Sequence, residues 1–371
     1  MSSWTLSVAR DDLSRTRLRP TELPDVGPGE ALLRPQRVGV SANNVTYAVL
    51  GDAFRYWEFF PTDPGWGVVP LWGFADVVES RVEGLATGSR VYGYLPCAGH
   101  LLVQPGRVDE RGFRDVSPHR ATLPSPYNAY ALTTGDAAYD PDGEDLQVLY
   151  RPLFFTSWML ADWLLDGGLR GAQAVLLSSA SSKTAYGAAF ELQHQGQRVI
   201  GATSVRNREF TESLGCYEKV VTYDDLGALD SELPTVYCDV AGDPTLTRTL
   251  RQQLGASLVL EVGVGVTHQQ ASGIGTLETT GEGAKGVVFF APDQMRKRTA
   301  DWGRVGLDER FAAAWAAFAP VVEGWVDVHE RTGPEALEQT WCEVQSGATS
   351  PRAGHVVVFP VPGGPASVRS A

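Results

Sequence analysis

The sequence predicts an α/β protein of two domains, one rich in short β-strands and one built from βαβ units around a parallel sheet. Three observations point there. The chain has 371 residues, more than a single core usually spans. Its N-terminal third is dense in Gly, Pro, Val and aromatic residues, set in short runs bounded by turn residues. Residues 151–290 instead alternate short apolar strands with helix-forming stretches, the pattern of βαβ units.

The elements follow in order. Ala31–Val40, Gly73–Ser80, Ser89–Gly93 and His100–Gln104 read as strands, which suggests a barrel-like or sandwich-like first domain. Leu153–Leu165 is the longest apolar stretch, and Asp162 interrupts it. It is too short to span a bilayer, which needs about 18 apolar residues, and reads as a buried helix. Strands are expected at 174–178, 198–203, 219–223, 235–240 and 257–262, with helices at 184–195, 206–214 and 245–254 between them. These strands are almost continuously apolar, as parallel strands covered on both faces should be. Phe311–Glu330 has helical apolar spacing, and Val356–Pro360 reads as a final strand. The tail after Pro360 is rich in Gly, Pro and Ser and is expected to fray. There is no internal repeat and no low-complexity segment.

Composition narrows the partners. Hydrophobic residues make up 43% and charged residues 20%, ordinary globular usage that argues against disorder. The net charge of -13 opposes nucleic acid and anionic membrane, which carry the same sign. Met1–Arg10 lacks the basic and apolar regions of a secretory signal. Cys97, Cys216, Cys238 and Cys342 are scattered with no CxxC pair, which fits reduced, mostly buried thiols and a cytoplasmic location.

The most informative segment is the turn after the strand at 174–178. In a dinucleotide fold this turn is rich in glycine, so that backbone can approach the pyrophosphate at a helix N-terminus. Here it reads Ser178-Ser179-Ala180-Ser181-Ser182-Lys183-Thr184, with no glycine. Two readings stay open. The hydroxyls of Ser179, Ser181, Ser182 and Thr184 with the Lys183 ammonium replace the backbone contacts to phosphate, or the serine side chains narrow the site until no dinucleotide fits. A P-loop is a weak third reading, because both its glycines are missing. A Ser-Lys hydrolytic dyad explains Lys183 less simply than a phosphate clamp. At the end of the next strand, where NAD-selective folds place a carboxylate, the chain has Thr203-Ser204-Val205-Arg206-Asn207-Arg208. Ser204, Arg206 and Arg208 suit the 2′-phosphate of NADP(H), or the two arginines are simply solvated.

Further segments carry a family resemblance. Val38–Gly51, Trp72–Glu79, Gly88–Gly93, Leu214–Gly215 with Val221–Tyr223, Asp239–Gly242 and Ser346–Val358 resemble the medium-chain dehydrogenase/reductase superfamily, in its zinc-free, quinone-oxidoreductase-like form. Phe59–Pro61, Val91–Pro96, Tyr127–Tyr130, Arg151–Phe154 and Ser178–Thr184 resemble a bacterial branch of it catalogued only as a domain of unknown function. The resemblance implies a GroES-like β-domain over 1–150, completed by 316–371. It implies a Rossmann-like doubly wound parallel sheet over 151–315, with Tyr223 at the cofactor. It places Tyr47 on the family tyrosine and Asn43 one position from the family asparagine, while Val45 stands where the family has aspartate. Zinc-dependent members need a cysteine near Ser41–Asn44 and a His-Glu at Trp72–Phe74, so no metal is expected. A homodimer is implied by analogy.

The expected function is therefore an NADP(H)-dependent, zinc-independent oxidoreductase acting on a small activated alkene or carbonyl of the enone, quinone or enoyl-thioester type. Tyr47 would protonate the product or polarise its carbonyl, and Asn43 and Asn44 would orient that carbonyl. The same residues also read blandly, as a packed aromatic and two turn residues. His100 reads as structural. Tyr127 and Tyr130 stand near the domain junction, where sites gather. Tyr56, Trp57, Phe59, Phe60, Trp66 and Trp72 line an apolar pocket or fill the core. Two alternatives remain: a non-redox lyase or hydrolase on the same scaffold, and a non-catalytic binding protein.

Overall fold

A computed structural model describes residues 2–264 and 285–360; the tail expected to fray lies outside them. The chain divides into two compact units, residues 1–151 with 326–371, and residues 152–325.

The first unit opens with β1 (Ser2–Ala9), β2 (Thr16–Glu22), β3 (Ala31–Val40), α1 (Ala42–Val49), β4 (Trp66–Gly67), β5 (Pro70–Ser80) and β6 (Arg90–Pro96). It continues through β7 (Leu101–Val103), β8 (Pro105–Asp109), β9 (Gly112–Asp115) and β10 (Ala129–Leu132) into α2 (Glu144–Asp166). The division of the chain falls inside α2, between Arg151 and Pro152. The second unit holds β11 (Ala174–Leu177), α3 (Lys183–His194), β12 (Val199–Thr203), α4 (Arg208–Ser213), β13 (Lys219–Thr222), β14 (Thr235–Asp239), α5 (Pro244–Leu254), β15 (Leu258–Val264), β16 (Lys285–Phe289) and α6 (Ala291–Glu323). The chain then returns to the first unit as β17 (Asp327–Thr332), α7 (Pro334–Gln345) and β18 (Ala353–Val358).

The first unit is GroES-like. A three-stranded sheet of order β2-β1-β4 accompanies a nine-stranded one of order β17-β18-β3-β5-β6-β10-β9-β8, with β7 also on β3. β3 crosses the backbone of α2 so closely that a Cβ at Gly39 would lie 2.4 Å from the Val148 carbonyl oxygen, so only glycine fits. The α2 N-terminus is locked by charge. Arg90 makes a two-pronged contact with Glu144 at 2.6 and 2.7 Å and reaches Asp76 at 2.7 Å, while Arg37 pairs with Asp145 and Glu330. Acidic residues in a first helical turn also suit the helix dipole.

The second unit is a Rossmann-like sheet. All its strand pairs are parallel, in the order β13-β12-β11-β14-β15-β16. Numbered within the unit this is 3-2-1-4-5-6, the doubly wound order in which ligands sit beyond the carboxyl ends of the strands. β11 is buried along its whole length. The helices pack through aromatic rings, with Phe154 stacked on Phe318 at 4.1 Å and Phe190 edge-on to Phe318 at 5.2 Å.

Two expectations change, the helix at Phe311–Glu330 and the bounds of the final strand. The helix read at Phe311–Glu330 begins twenty residues earlier, at Ala291, and ends at Glu323. Gly303 interrupts it with φ 71, and Arg298 and Arg310 both stack on Trp302, each 4.7 Å from a ring centroid. Residues 327–330 belong to β17 instead, a strand too exposed for its apolar spacing to reveal it. Among the cysteines, Cys97, Cys216 and Cys238 are buried but Cys342 is exposed, and all are free thiols. The final strand starts at Ala353 and ends at Val358. No helix among the described residues is long and apolar enough to cross a membrane.

One buried ion pair anchors the first unit. Arg120 and Asp115 lie 3.2 Å apart with both side chains 1% exposed. Asp115 also accepts from the Gln104 and Ser117 backbone N–H groups and the Ser117 hydroxyl, and Arg120 stacks on Phe60 and donates to Tyr130. Replacing Arg120 by Met strands a buried carboxylate. The expected loss is about 3–5 kcal/mol in urea unfolding, with no such loss for Arg107→Met on the surface.

Candidate functional site

Two groups of residues carry chemistry, one in each unit. In the first unit α1 delivers Tyr47. Its four-residue spacing from Asn43 puts both on one helical face. Asn44 sits on the buried side, where its amide oxygen accepts the Ser41 N–H at 2.7 Å and its nitrogen donates to the Pro70 carbonyl at 2.9 Å. That arrangement ties α1 to β5, so Asn44 holds the scaffold that positions Tyr47.

Around Tyr47 the fold assembles a nest of aromatic hydroxyls. Trp72 on β5 donates its indole N–H to the Tyr47 hydroxyl at 3.1 Å. Asn43 and Tyr127 hydrogen-bond the same oxygen. Tyr127, from the 3₁₀ turn at Ser125–Asn128, also meets the Tyr56 hydroxyl at 3.3 Å. Tyr92 and Tyr94 project from one face of β6, since residues two apart in a strand share a face. Between them, on the opposite face, Tyr130 packs on Gly93, where a Cβ would lie 2.4 Å from the Tyr130 ring. The Tyr94 ring contacts those of Tyr47 (5.5 Å), Trp72 (5.2 Å) and Tyr127 (4.7 Å). Burial drives the Tyr47 phenol well above its ordinary range, and its hydrogen bonds only partly oppose this. Tyr47 is therefore a neutral O–H donor at physiological pH.

The aromatic residues flagged from sequence divide. Tyr56, Trp57, Phe59 and Phe60 are buried in the core of this unit, and Trp72 is packed against it. Tyr130 is structural, donating to the Tyr94 carbonyl at 2.7 Å. His100 is half-buried and lies 3.0 Å from the Ser3 hydroxyl. Burial, helped by Arg34, lowers its pKa and keeps it neutral.

In the second unit the serine turn runs from the end of β11 into α3. Ser179 has φ 50, a left-handed conformation normally left to glycine. Several polar groups of the turn meet side chains brought from elsewhere in the unit. The Ser179 N–H donates to the Tyr223 hydroxyl at 2.9 Å. Asn207 donates to the Ser181 hydroxyl at 3.0 Å, and Tyr217 donates to the Ala180 carbonyl at 2.8 Å. Ser182 caps α3 by accepting the Ala185 N–H at 3.3 Å. Ser178 accepts from the Val240 and Ala241 N–H groups and bonds Asp239.

The consequence for a phosphate is specific. Tyr223, Ser181 and Ser182 each use their oxygen as acceptor, and their own O–H protons have no acceptor among the described residues. The turn thus offers O–H donors where a glycine turn offers N–H donors. The Thr184 N–H, in the first turn of α3, also lacks a protein acceptor among the described residues. Lys183 is the first residue of α3, and burial of its ammonium lowers its pKa to about 8.

The other predicted residues fall at the end of β12. Ser204 opens a 3₁₀ turn over Val205–Asn207. Arg206 is exposed and makes no ion pair among the described residues. Arg208 is engaged with Glu212 one turn along α4, at 2.8 Å, in an exposed pair that holds it only weakly. Sequence reasoning missed Tyr217 and Asn207 as supports of the turn, and Tyr92 and Tyr94 in the nest. The alternation in Val91–Pro96 carried a signal for the last two. No three His, Cys, Asp or Glu side chains come together as a metal site among the described residues.

Residues 38–350 match the model of a family whose description is "Protein of unknown function (DUF2855)". No curated protein matches the sequence. Among solved structures, a crystal structure of CurA in complex with NADPH from Vibrio vulnificus is 14% identical, with TM-score 0.63, over 97% of this chain and 100% of that one. The quinone oxidoreductase from Coxiella burnetii is 12% identical, with TM-score 0.55, over 96% and 99%. The CurK enoyl reductase is 14% identical, with TM-score 0.55, over the same shares of the two chains. At such identities the likeness is one of fold, the medium-chain dehydrogenase/reductase fold.

The left-handed Ser179 gives a direct test of the turn. Ser179→Val, β-branched, is expected to destabilise the protein by about 1–2 kcal/mol, whereas Ser179→Gly leaves stability unchanged or slightly higher. Urea midpoints of the two variants would check this; equal losses would mean that the turn does not need the left-handed conformation.

Proposed function

We propose that this chain, which belongs to the DUF2855 family of proteins of unknown function, is a zinc-independent NADPH-dependent reductase of an activated alkene or carbonyl. The observation that carries the reading is the serine turn: the first strand of a 3-2-1-4-5-6 parallel sheet runs into a helix N-terminus ringed by spare donors. That solved relatives of the same fold include an NADPH complex and an enoyl reductase supports it.

The residues present fit the cofactor. Ser181, Ser182, Tyr223 and the Thr184 N–H would hold the pyrophosphate, with Lys183 adding charge. Arg206, exposed after β12, would meet the 2′-phosphate. When bound, NADPH supplies the hydride. Tyr47 supplies the proton: its oxygen accepts the Trp72 indole N–H, and burial keeps its own O–H protonated. Asn43 steadies that oxygen rather than a substrate carbonyl.

A non-redox reading draws on the left-handed Ser179, which resembles a strained nucleophile. It is the weaker reading, because no base bonds the Ser179 hydroxyl among the described residues. A homodimer is part of the proposal. β16 lies at a sheet edge with Val288 and Phe290 exposed beside it, and gel filtration should show twice the chain mass.

Titration of the pure protein with NADPH and NADH tests the reading. NADPH should bind at least tenfold more tightly, and Arg206→Ala should remove that margin, about 1.4 kcal/mol. Affinity for NADPH should fall as pH rises through about 8, because Lys183 loses its proton there. Lys183→Met should bind weakly at every pH and show no such fall. Absence of binding by either nucleotide would overturn the proposal.

A further inference from the structure

We propose that the hydroxyl nest of the first unit is a binding site for a ligand oxygen that only accepts hydrogen bonds, with Tyr92 and Tyr94 as donors beside Tyr47. The site would therefore select a carbonyl or carboxyl compound over the corresponding alcohol. The inference deepens the reductase reading and rests on it for taking the nest's ligand to be the substrate.

The nest holds six donors: the Trp72 indole N–H and the hydroxyls of Tyr47, Tyr56, Tyr92, Tyr94 and Tyr127. Trp72 donates to Tyr47. Tyr127 bonds both Tyr47 and Tyr56, and those two links take up two of the three protons of this group. The protons of Tyr92 and Tyr94 then have no acceptor among the described residues. For Tyr92 and Tyr94 the oxygen lacks any hydrogen-bond partner there as well.

Such orphans are rare. Tyr94 is 0% and Tyr92 6% exposed, and buried polar groups nearly always find a partner. Two of them, on one face of β6 and both in ring contact with Trp72 (5.7 and 5.2 Å), are not an accident of one side chain. Phenylalanine would fill the same space without the polar atom. A hydroxyl kept at a cost to the free protein marks a partner that arrives later.

The sign of that partner follows from charge. Burial raises the pKa of the Tyr47, Tyr92, Tyr94 and Tyr127 phenols, so all four stay protonated and donate. The Arg151 guanidinium lies 4.7 Å from the centroid of the Tyr92 ring, which strengthens its O–H as a donor. Among the described residues no carboxylate joins the nest as acceptor: Asp136, which acts on Tyr92, is paired with Arg151. An alcohol would bring a further proton and find only phenol oxygens to receive it. A ketone, thioester or carboxylate brings lone pairs alone.

The test compares benzalacetone with its allylic alcohol, by equilibrium dialysis against the full-length protein without nicotinamide. The ketone should bind about tenfold or more tightly than the alcohol. Tyr94→Phe and Tyr92→Phe should each weaken the ketone about tenfold and leave the alcohol unchanged, while raising Tm by about 2 °C, because an unsatisfied buried hydroxyl has gone. Opposite signs in stability and binding distinguish a ligand donor from a packing residue. Equal binding of ketone and alcohol would overturn the inference, as would a lower Tm with ketone affinity unchanged. The two readings fail separately: ketone selectivity lost in the Phe variants, with no nicotinamide binding, sinks the reductase alone. NADPH oxidation by benzalacetone that both Phe variants leave intact sinks the nest alone.

Discussion

The second unit depends on one constraint: a strand-to-helix turn must be closed without glycine. Glycine would give the left-handed backbone and leave N–H groups bare. Here Ser179 takes the left-handed conformation, and its N–H is passed to the hydroxyl of Tyr223, beyond the end of β13. Tyr217, two residues before β13 begins, reaches the Ala180 carbonyl and packs against Gly201, where a Cβ would lie 3.0 Å from its ring. Asn207 arrives from the turn after β12. The carboxyl ends of β11, β12 and β13 are thus tied to one another through side chains. The ligand-binding end of the sheet is organised by this stitching, not by backbone flexibility.

The first unit solves the complementary problem. A proton donor must stay protonated, and burial among aromatic rings achieves that for Tyr47 without any charged partner. The surrounding ion pairs are kept to the flanks. Arg120 with Asp115, Arg90 with Glu144 and Asp76, and Arg151 with Asp136 satisfy their charges against one another. What is left facing the nest is neutral and donor-rich, a setting suited to an oxygen on which negative charge develops.

The sheet of the second unit was legible because strands buried on both faces are written as continuous apolar runs, as in Ala174–Leu177. Its order was legible only through family resemblance, since a single sequence records no pairing. β17 was not legible: its residues Asp327–Thr332 are almost all exposed, so no periodicity marks them. At the site, residue type revealed the serines, Lys183 and Tyr47. It could not show that Tyr223 closes the turn from forty-four residues away. Nor could it show that Asn44 is bound to Pro70 or that Arg208 leans on Glu212. In the sequence Tyr92 and Tyr94 stand out only as part of the Val91–Pro96 resemblance. Only their missing partners distinguish them.

On the proposed function, this chain moves a hydride from NADPH to an activated carbonyl compound. The direct measurement is mass spectrometry of the product formed from benzalacetone with NADPH deuterated at the nicotinamide C4 position. The account expects one deuterium, delivered from a single face of the nicotinamide, in a saturated ketone or allylic alcohol. A reduced product without deuterium from either face, or turnover that needs no nicotinamide, would contradict it.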